Sequence, residues 1–157
     1  MRRPLLVGFL GAVLLVVLVL PFVLHTNAFI SKLRSNQEKW SRLAPRSYEM
    51  VIASNSLSDP TGGINVLRVE NGQIVQAENA DCGDCSLDDF NHLTVEALFE
   101  RIWEECVRNH ARGLPFPICN VAYDQDLGFP RRLDTYTFTQ EGEYLPSITI
   151  ETFQPYP

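Results

Sequence analysis

The stretch Val121–Phe138, VAYDQDLGFPRRLDTYTF, constrains the fold more than any other part of the chain. Val121 and Tyr123 alternate with Ala122 and Asp124, as in a strand with one buried face, until Asp126-Leu127-Gly128-Phe129-Pro130 breaks the pattern. A second β-prone run, Leu133 to Phe138, follows. Gly128 can take the positive φ of a tight turn, and Pro130, which has no N–H to give, suits the first position of the returning strand. The spacing predicts an antiparallel hairpin. A lone hairpin is not stable in water, so its apolar face needs a cover.

Leu93–His110 supplies one. Val95, Leu98, Phe99, Ile102, Cys106 and Val107 recur at three-and-four spacing, one continuous stripe along a helix. Thr94 is placed to cap it, and Glu104 and Arg108 fall in i,i+4 register. Earlier in the chain Tyr48–Ser54 reads as a strand, with Tyr48, Met50 and Ile52 on one side. Ile64–Glu70 and Gln73–Ala77 flank Asn71-Gly72, a strong hairpin signal. Asn55–Gly63 and Asn79–His92 read as polar loops. Tyr144–Thr152 reads as a last strand, interrupted at Pro146 and so near a sheet edge. Short connections favour antiparallel pairing. The expected class is α+β, an antiparallel sheet of about five or six strands packed on one or two helices.

In front of this domain stands Leu5–Leu24, twenty residues without a charge. At ~1.5 Å per residue they match a hydrocarbon core of ~30 Å, so a single N-terminal transmembrane helix, an uncleaved signal-anchor, is expected over residues 1–26. A cleavable signal has a shorter apolar core; Ala28, with Thr26 two before it, leaves cleavage open. Residues 27–46 form a basic amphipathic linker helix, with Phe29, Ile30, Leu33, Trp40 and Leu43 near one face; Trp40 has the bulk to pack on the body. The extracytoplasmic domain is expected over residues 47–157.

Charge divides with the chain. Residues 1–46 hold seven Lys/Arg against Glu38, net +6; residues 47–157 hold six Arg against eighteen Asp/Glu, net −12. A body so acidic is repelled by phosphate backbones, which argues against a nucleic-acid partner, while the basic stretch suits anionic lipid head groups. Arg2 and Arg3 favour a cytoplasmic N-terminus; Lys32, Arg34, Lys39 and Arg42 oppose it. Four cysteines decide the reading, because disulfides persist on the oxidising side of a membrane.

Those cysteines are Cys82, Cys85, Cys106 and Cys119. Cys106 lies on the helix stripe and Cys119 shares parity with Val121 and Tyr123, so both face the helix–sheet interface near one end and are expected to pair, leaving Cys82 with Cys85. Two buried free thiols, or cross-pairing of the two sets, are the alternatives. Cys82-Gly83-Asp84-Cys85 has redox spacing, but Asp81, Asp84, Asp88 and Asp89 surround it and would raise a thiol pKa. A Cys₄ zinc site has one good half and no second, and the acidic loop lacks EF-hand spacing, so no metal and no cofactor are expected. No GxSxG, no phosphate loop and no clustering of His25, His92 and His110 supports an enzyme; beside a turn, Asp124 more often accepts backbone N–H groups.

A tryptophan-bearing helix, then Tyr48, an NG hairpin (VLRVENG), TVEALFERI, and VAYDQDLGFP form an order that resembles an uncharacterised family of bacterial exported and lipid-anchored domains, a domain of unknown function (DUF 6174). The resemblance covers roughly residues 36–138. Its motif is Tyr123, Asp124, Gly128, Phe129 and Pro130, with tyrosine more usual at the Phe129 position. Relatives often carry a cysteine pair just after the first strand, where Ser54–Ser58 has none. The resemblance implies fold and location, a domain of the bacterial cell envelope; the Leu5–Leu24 span implies a single-pass cell-membrane protein, and another envelope protein is the expected partner. Two functions are expected to compete, a non-enzymatic binding or structural module and a thiol-disulfide or metal-handling protein using Cys82/Cys85.

Overall fold

Two tight turns anchor the strands around them. Asn71 and Gly72 both take positive φ (51° and 78°), the type I′ geometry whose twist matches the flanking strands. Gly128 sits at φ 84°, its N–H donating to the Asp124 carbonyl at 3.1 Å while the Asp124 N–H donates to the Phe129 carbonyl at 2.8 Å. A computed structural model describes residues 27–55, 61–108, 118–139, 142–144 and 147–156. The Leu5–Leu24 span lies outside them; among the described residues no helix is long and apolar enough to cross a membrane.

Residues 27–43 are helical (α1). Strands β1 (Ser47–Ser54), β2 (Gly63–Glu70) and β3 (Gln73–Asn79) precede a 3-10 turn at Leu87–Leu93, helix α2 (Val95–Ile102) and a π-helical turn, Trp103–Arg108. Then come β4 (Ile118–Tyr123), β5 (Pro130–Thr139), β6 (Gly142–Tyr144) and β7 (Ser147–Pro155). The strand order is β3-β2-β1-β7-β5-β4, with short β6 on β5 off that path, and every pairing is antiparallel. The fold is α+β, as expected.

Helices cover one face of the sheet. Tyr48, Met50 and Ile52 of β1 alternate inward and oppose Leu67, Val69, Phe153 and Ile150 on neighbouring strands. Trp40, only 4% exposed, stands edge-on to Tyr48, Phe129 and Phe153, with ring centroids 5.7 to 6.0 Å away. Its Nε1–H donates to Glu96 of α2 at 2.9 Å. The compact unit accordingly begins at Asn36, inside α1, and not after residue 46 as the sequence suggested. Tryptophan burial outweighs the polar surroundings that made this stretch read as a linker. Leu43 is 52% exposed and does not share the packed face.

Three further expectations are corrected. The last strand is interior, between β1 and β5, because its ladder starts at Ser147, past the proline, so every residue up to Gln154 keeps its N–H. The Asn79–His92 loop contains the 3-10 turn, which buries Phe90 and Leu93 and starts at a Ser86/Asp89 capping box. The stripe from Leu93 to His110 is not one α-helix. Thr94 caps as expected, accepting the Ala97 N–H at 3.2 Å, and Val95, Leu98, Phe99 and Ile102 are buried. Past Ile102 the wider π turn changes the angular step per residue, and Cys106 and Val107 end up half-buried; His110 lies outside the described residues. The Glu104–Arg108 ion pair forms as expected, beside Arg101–Glu105 at 2.8 Å.

A Cβ at Gly128 would lie 2.7 Å from the Asn36 carbonyl oxygen and 3.0 Å from Lys39 Cβ, whereas one at Gly72 would meet nothing. Gly72→Ala should therefore cost only the left-handed backbone strain, ~1–2 kcal/mol. Gly128→Ala adds overpacking of ~1–3 kcal/mol. Urea midpoints of the two variants check this order; equal losses would mean that α1 does not press on the turn.

Candidate functional site

On the sheet face away from the helices, two neighbouring irregularities put charge into one place. Between β4 and β5 the register passes from Ala122↔Arg132 to Tyr123↔Pro130, leaving Arg131 as an extra residue. Between β1 and β7 it passes from Val51↔Thr152 to Ile52↔Ile150, leaving Glu151 extra. Such bulges re-aim a side chain out of the alternating pattern. Both extra residues line one cleft of about 540 Å³, together with Asp124, Asp126, Arg132 and Thr149.

The cleft has a structural cause. β5 pairs with β7 only where Arg132–Asp134 oppose Ser147–Thr149. One step further along, β5 gives Arg131, the extra residue of its bulge, and then Pro130, which has no N–H for a ladder; Phe129, just before the strand, stacks on Phe153 at 4.5 Å. The two strands part there. Within the cleft Arg132 Nε donates to both carboxylate oxygens of Asp134, at 2.9 and 3.0 Å. Asp124 Oδ1 accepts the N–H groups of Asp126 (2.9 Å) and Leu127 (2.8 Å), the turn-capping role expected for it. The Lys39 amine of α1 donates to the Gln125 carbonyl.

The family-motif residues are brought together as a structural turn. Tyr123 stacks on Phe99 of α2 at 6.4 Å; Gly128 makes the turn; Phe129 is 3% exposed in the aromatic cluster; Pro130 opens β5 opposite Tyr123. Asp124 alone of them also borders the cleft with an acidic group. Arg131 and Glu151 are not among the site residues expected from the sequence. A signal was present: inward residues at Ile148 and Ile150 should be followed by Thr152, but the aromatic comes at Phe153, a slip of one in the alternation.

The cysteines join as two local pairs, Cys106 with Cys119 (Cα–Cα 5.8 Å) and Cys82 with Cys85 (Cα–Cα 5.7 Å). The first ties the π turn to β4. The second sits among Asp81, Asp84 and the capping box, where bonds from the Ser86 N–H and hydroxyl hold the Asp89 carboxyl below its ordinary range. It borders a smaller cleft of about 420 Å³ with Phe90 and Ala77. Among the described residues no three His, Cys, Asp or Glu gather as a metal ion would need. His92 Nε2 lies 3.3 Å from Thr61 Oγ1, and His25 and His110 are outside the described residues.

Two outcomes follow from this geometry. In the chain-entropy model the Cys106–Cys119 link, spanning 13 residues, is worth ~3 kcal/mol and the Cys82–Cys85 link, spanning 3, nearer ~2 kcal/mol. Replacing each pair by alanine and comparing urea midpoints should show the larger loss for the helix–strand link. Burial pushes the Tyr48 phenol well above its ordinary value of 10.0, with the Glu96 carboxylate adding to the shift, and burial does the same at Tyr123. The folded state thus refuses an ionisation the unfolded chain accepts near pH 10. Stability is full below that pH and drains as pH rises above it. Ultraviolet titration should find the Tyr48 and Tyr123 phenols silent at the pH where a free phenol ionises; their ionisation there in folded protein would contradict the burial.

No significant match to this chain was found among curated proteins or among solved structures. A model described as "Family of unknown function (DUF6174)" matches residues 32–155, from within α1 to the last residue of β7 and so across the whole compact sheet; the chain belongs to that family.

Proposed function

We propose that the protein is a membrane-tethered, extracytoplasmic binding module of the bacterial cell envelope, without enzymatic turnover. The observation that carries this reading is the pairing of all four cysteines, two bonds that last only in an oxidising compartment. The uncharged Leu5–Leu24 stretch supplies a tether in sequence, and the bulge-lined cleft supplies a contact surface. Another envelope protein is the partner this surface suits; a nucleic acid is disfavoured by the net −12 of residues 47–157. One observation favours a second reading, thiol–disulfide exchange: Cys82 and Cys85 border a cleft. Against it, their acidic neighbours repel an attacking thiolate.

Protease added to intact spheroplasts should digest the chain beyond about Arg34 and leave a membrane-bound fragment. Protection until the membrane is broken would reverse the topology. Rapid exchange with a model disulfide substrate, abolished by Cys82→Ser, would move the assignment to the second reading.

A further inference from the structure

We infer that the bulge-lined cleft is a binding site for a free dibasic amino acid, a small molecule with one carboxylate and two ammonium groups, as in lysine. This goes beyond the binding-module reading and stands whether or not the module also holds a protein. The opening is short. β7 gives it only Thr149, Ile150 and Glu151, because the β5–β7 ladder ends at Thr149 and Phe129 packs on Phe153 just beyond. Three residues fall short of an added strand of ordinary length, ~5–6 residues. A volume of about 540 Å³, in contrast, falls within the ~300–1,000 Å³ of small-molecule sites.

Charge selects the occupant. Arg68, Arg101, Arg108 and Arg132 each pair with a carboxylate, on Glu70, Glu105, Glu104 and Asp134. Arg131 pairs with no described residue, although Asp126 and Glu151 line the same cleft. The Lys39 amine is engaged by the Gln125 carbonyl, and the Asp124 carboxylate by the N–H groups of its own turn. What remains is one guanidinium and two carboxylates, one positive against two negative, net −1. They stand on three separate pieces of backbone, the β5 bulge, the β4–β5 turn and the β7 bulge, which hold them apart so that they do not pair. The complement is one carboxylate and two ammonium groups. The carboxylate takes the two parallel N–H donors of the Arg131 fork, and the ammonium groups donate to Asp126 and Glu151.

The test uses the isotope-labelled full chain in detergent micelles and three probes: free lysine, cadaverine, which has both ammonium groups and no carboxylate, and free glutamate. Lysine should give saturable amide shifts at Arg131, Thr149 and Glu151, cadaverine should bind about tenfold more weakly, and glutamate should not bind. Arg131→Gln should remove the preference for lysine over cadaverine, whereas Glu151→Gln and Asp126→Asn should weaken both. All three positions are exposed and lie on different segments, and an unchanged urea midpoint verifies each fold. No saturable shift with lysine, equal binding of glutamate, shifts confined to another surface, or a lysine preference that survives Arg131→Gln would each overturn the inference. Capture of an envelope protein by a chain that ignores lysine would overturn it too, while leaving the binding-module reading in place.

Discussion

Everything in this domain leans on the contact between the Gly128-Phe129 hairpin tip and the aromatic cluster under α1. Phe129 stacks on Phe153, Trp40 stands against both, and Tyr48 completes the group. These rings come from α1, β1, the β4–β5 turn and β7, so the cluster ties the first strand and the helix before it to the last third of the chain. Aromatic pairs in such arrangements contribute ~0.5–1.5 kcal/mol each beyond the area they bury. The turn can approach α1 because Gly128 has no Cβ, and the buried Trp40 Nε1–H is satisfied by Glu96 of α2.

Beside that contact, on the opposite face, the β5–β7 ladder ends at Arg132 and Thr149, and the bulges at Arg131 and Glu151 fall next to its end. The charged groups at the cleft are extra residues of the strands and so fall outside the regular alternation.

Local chemistry was legible in the sequence and long-range pairing was not. Asn71-Gly72, Gly128, Pro130 and the Thr94 cap each express a φ or hydrogen-bond requirement within four residues, and each stands where its pattern placed it. Trp40 declared itself by bulk. The place of β7 depends on which strand its edge meets, and nothing in Ser147–Pro155 states that. The π turn was hidden because Cys106 and Val107 satisfy a helical stripe whether or not the pitch widens after Ile102. The cleft required two phase slips to be read together, one in β5 and one in β7. Each alone resembles an ordinary strand end.

The central position of β7 bears on how the chain acquires its structure in time. β1, β2 and β3 form a meander of near neighbours, and β4 with β5 a hairpin; β7 is the strand that joins these two sets. It is also the last strand of the sheet to leave the ribosome. Until Ser147–Pro155 has emerged, the earlier strands exist as two separate groups, each with an edge awaiting the same segment. Completion of the sheet therefore waits for β7, and until then the earlier strands present adhesive edges that a chaperone, or a neighbouring copy, can recognise.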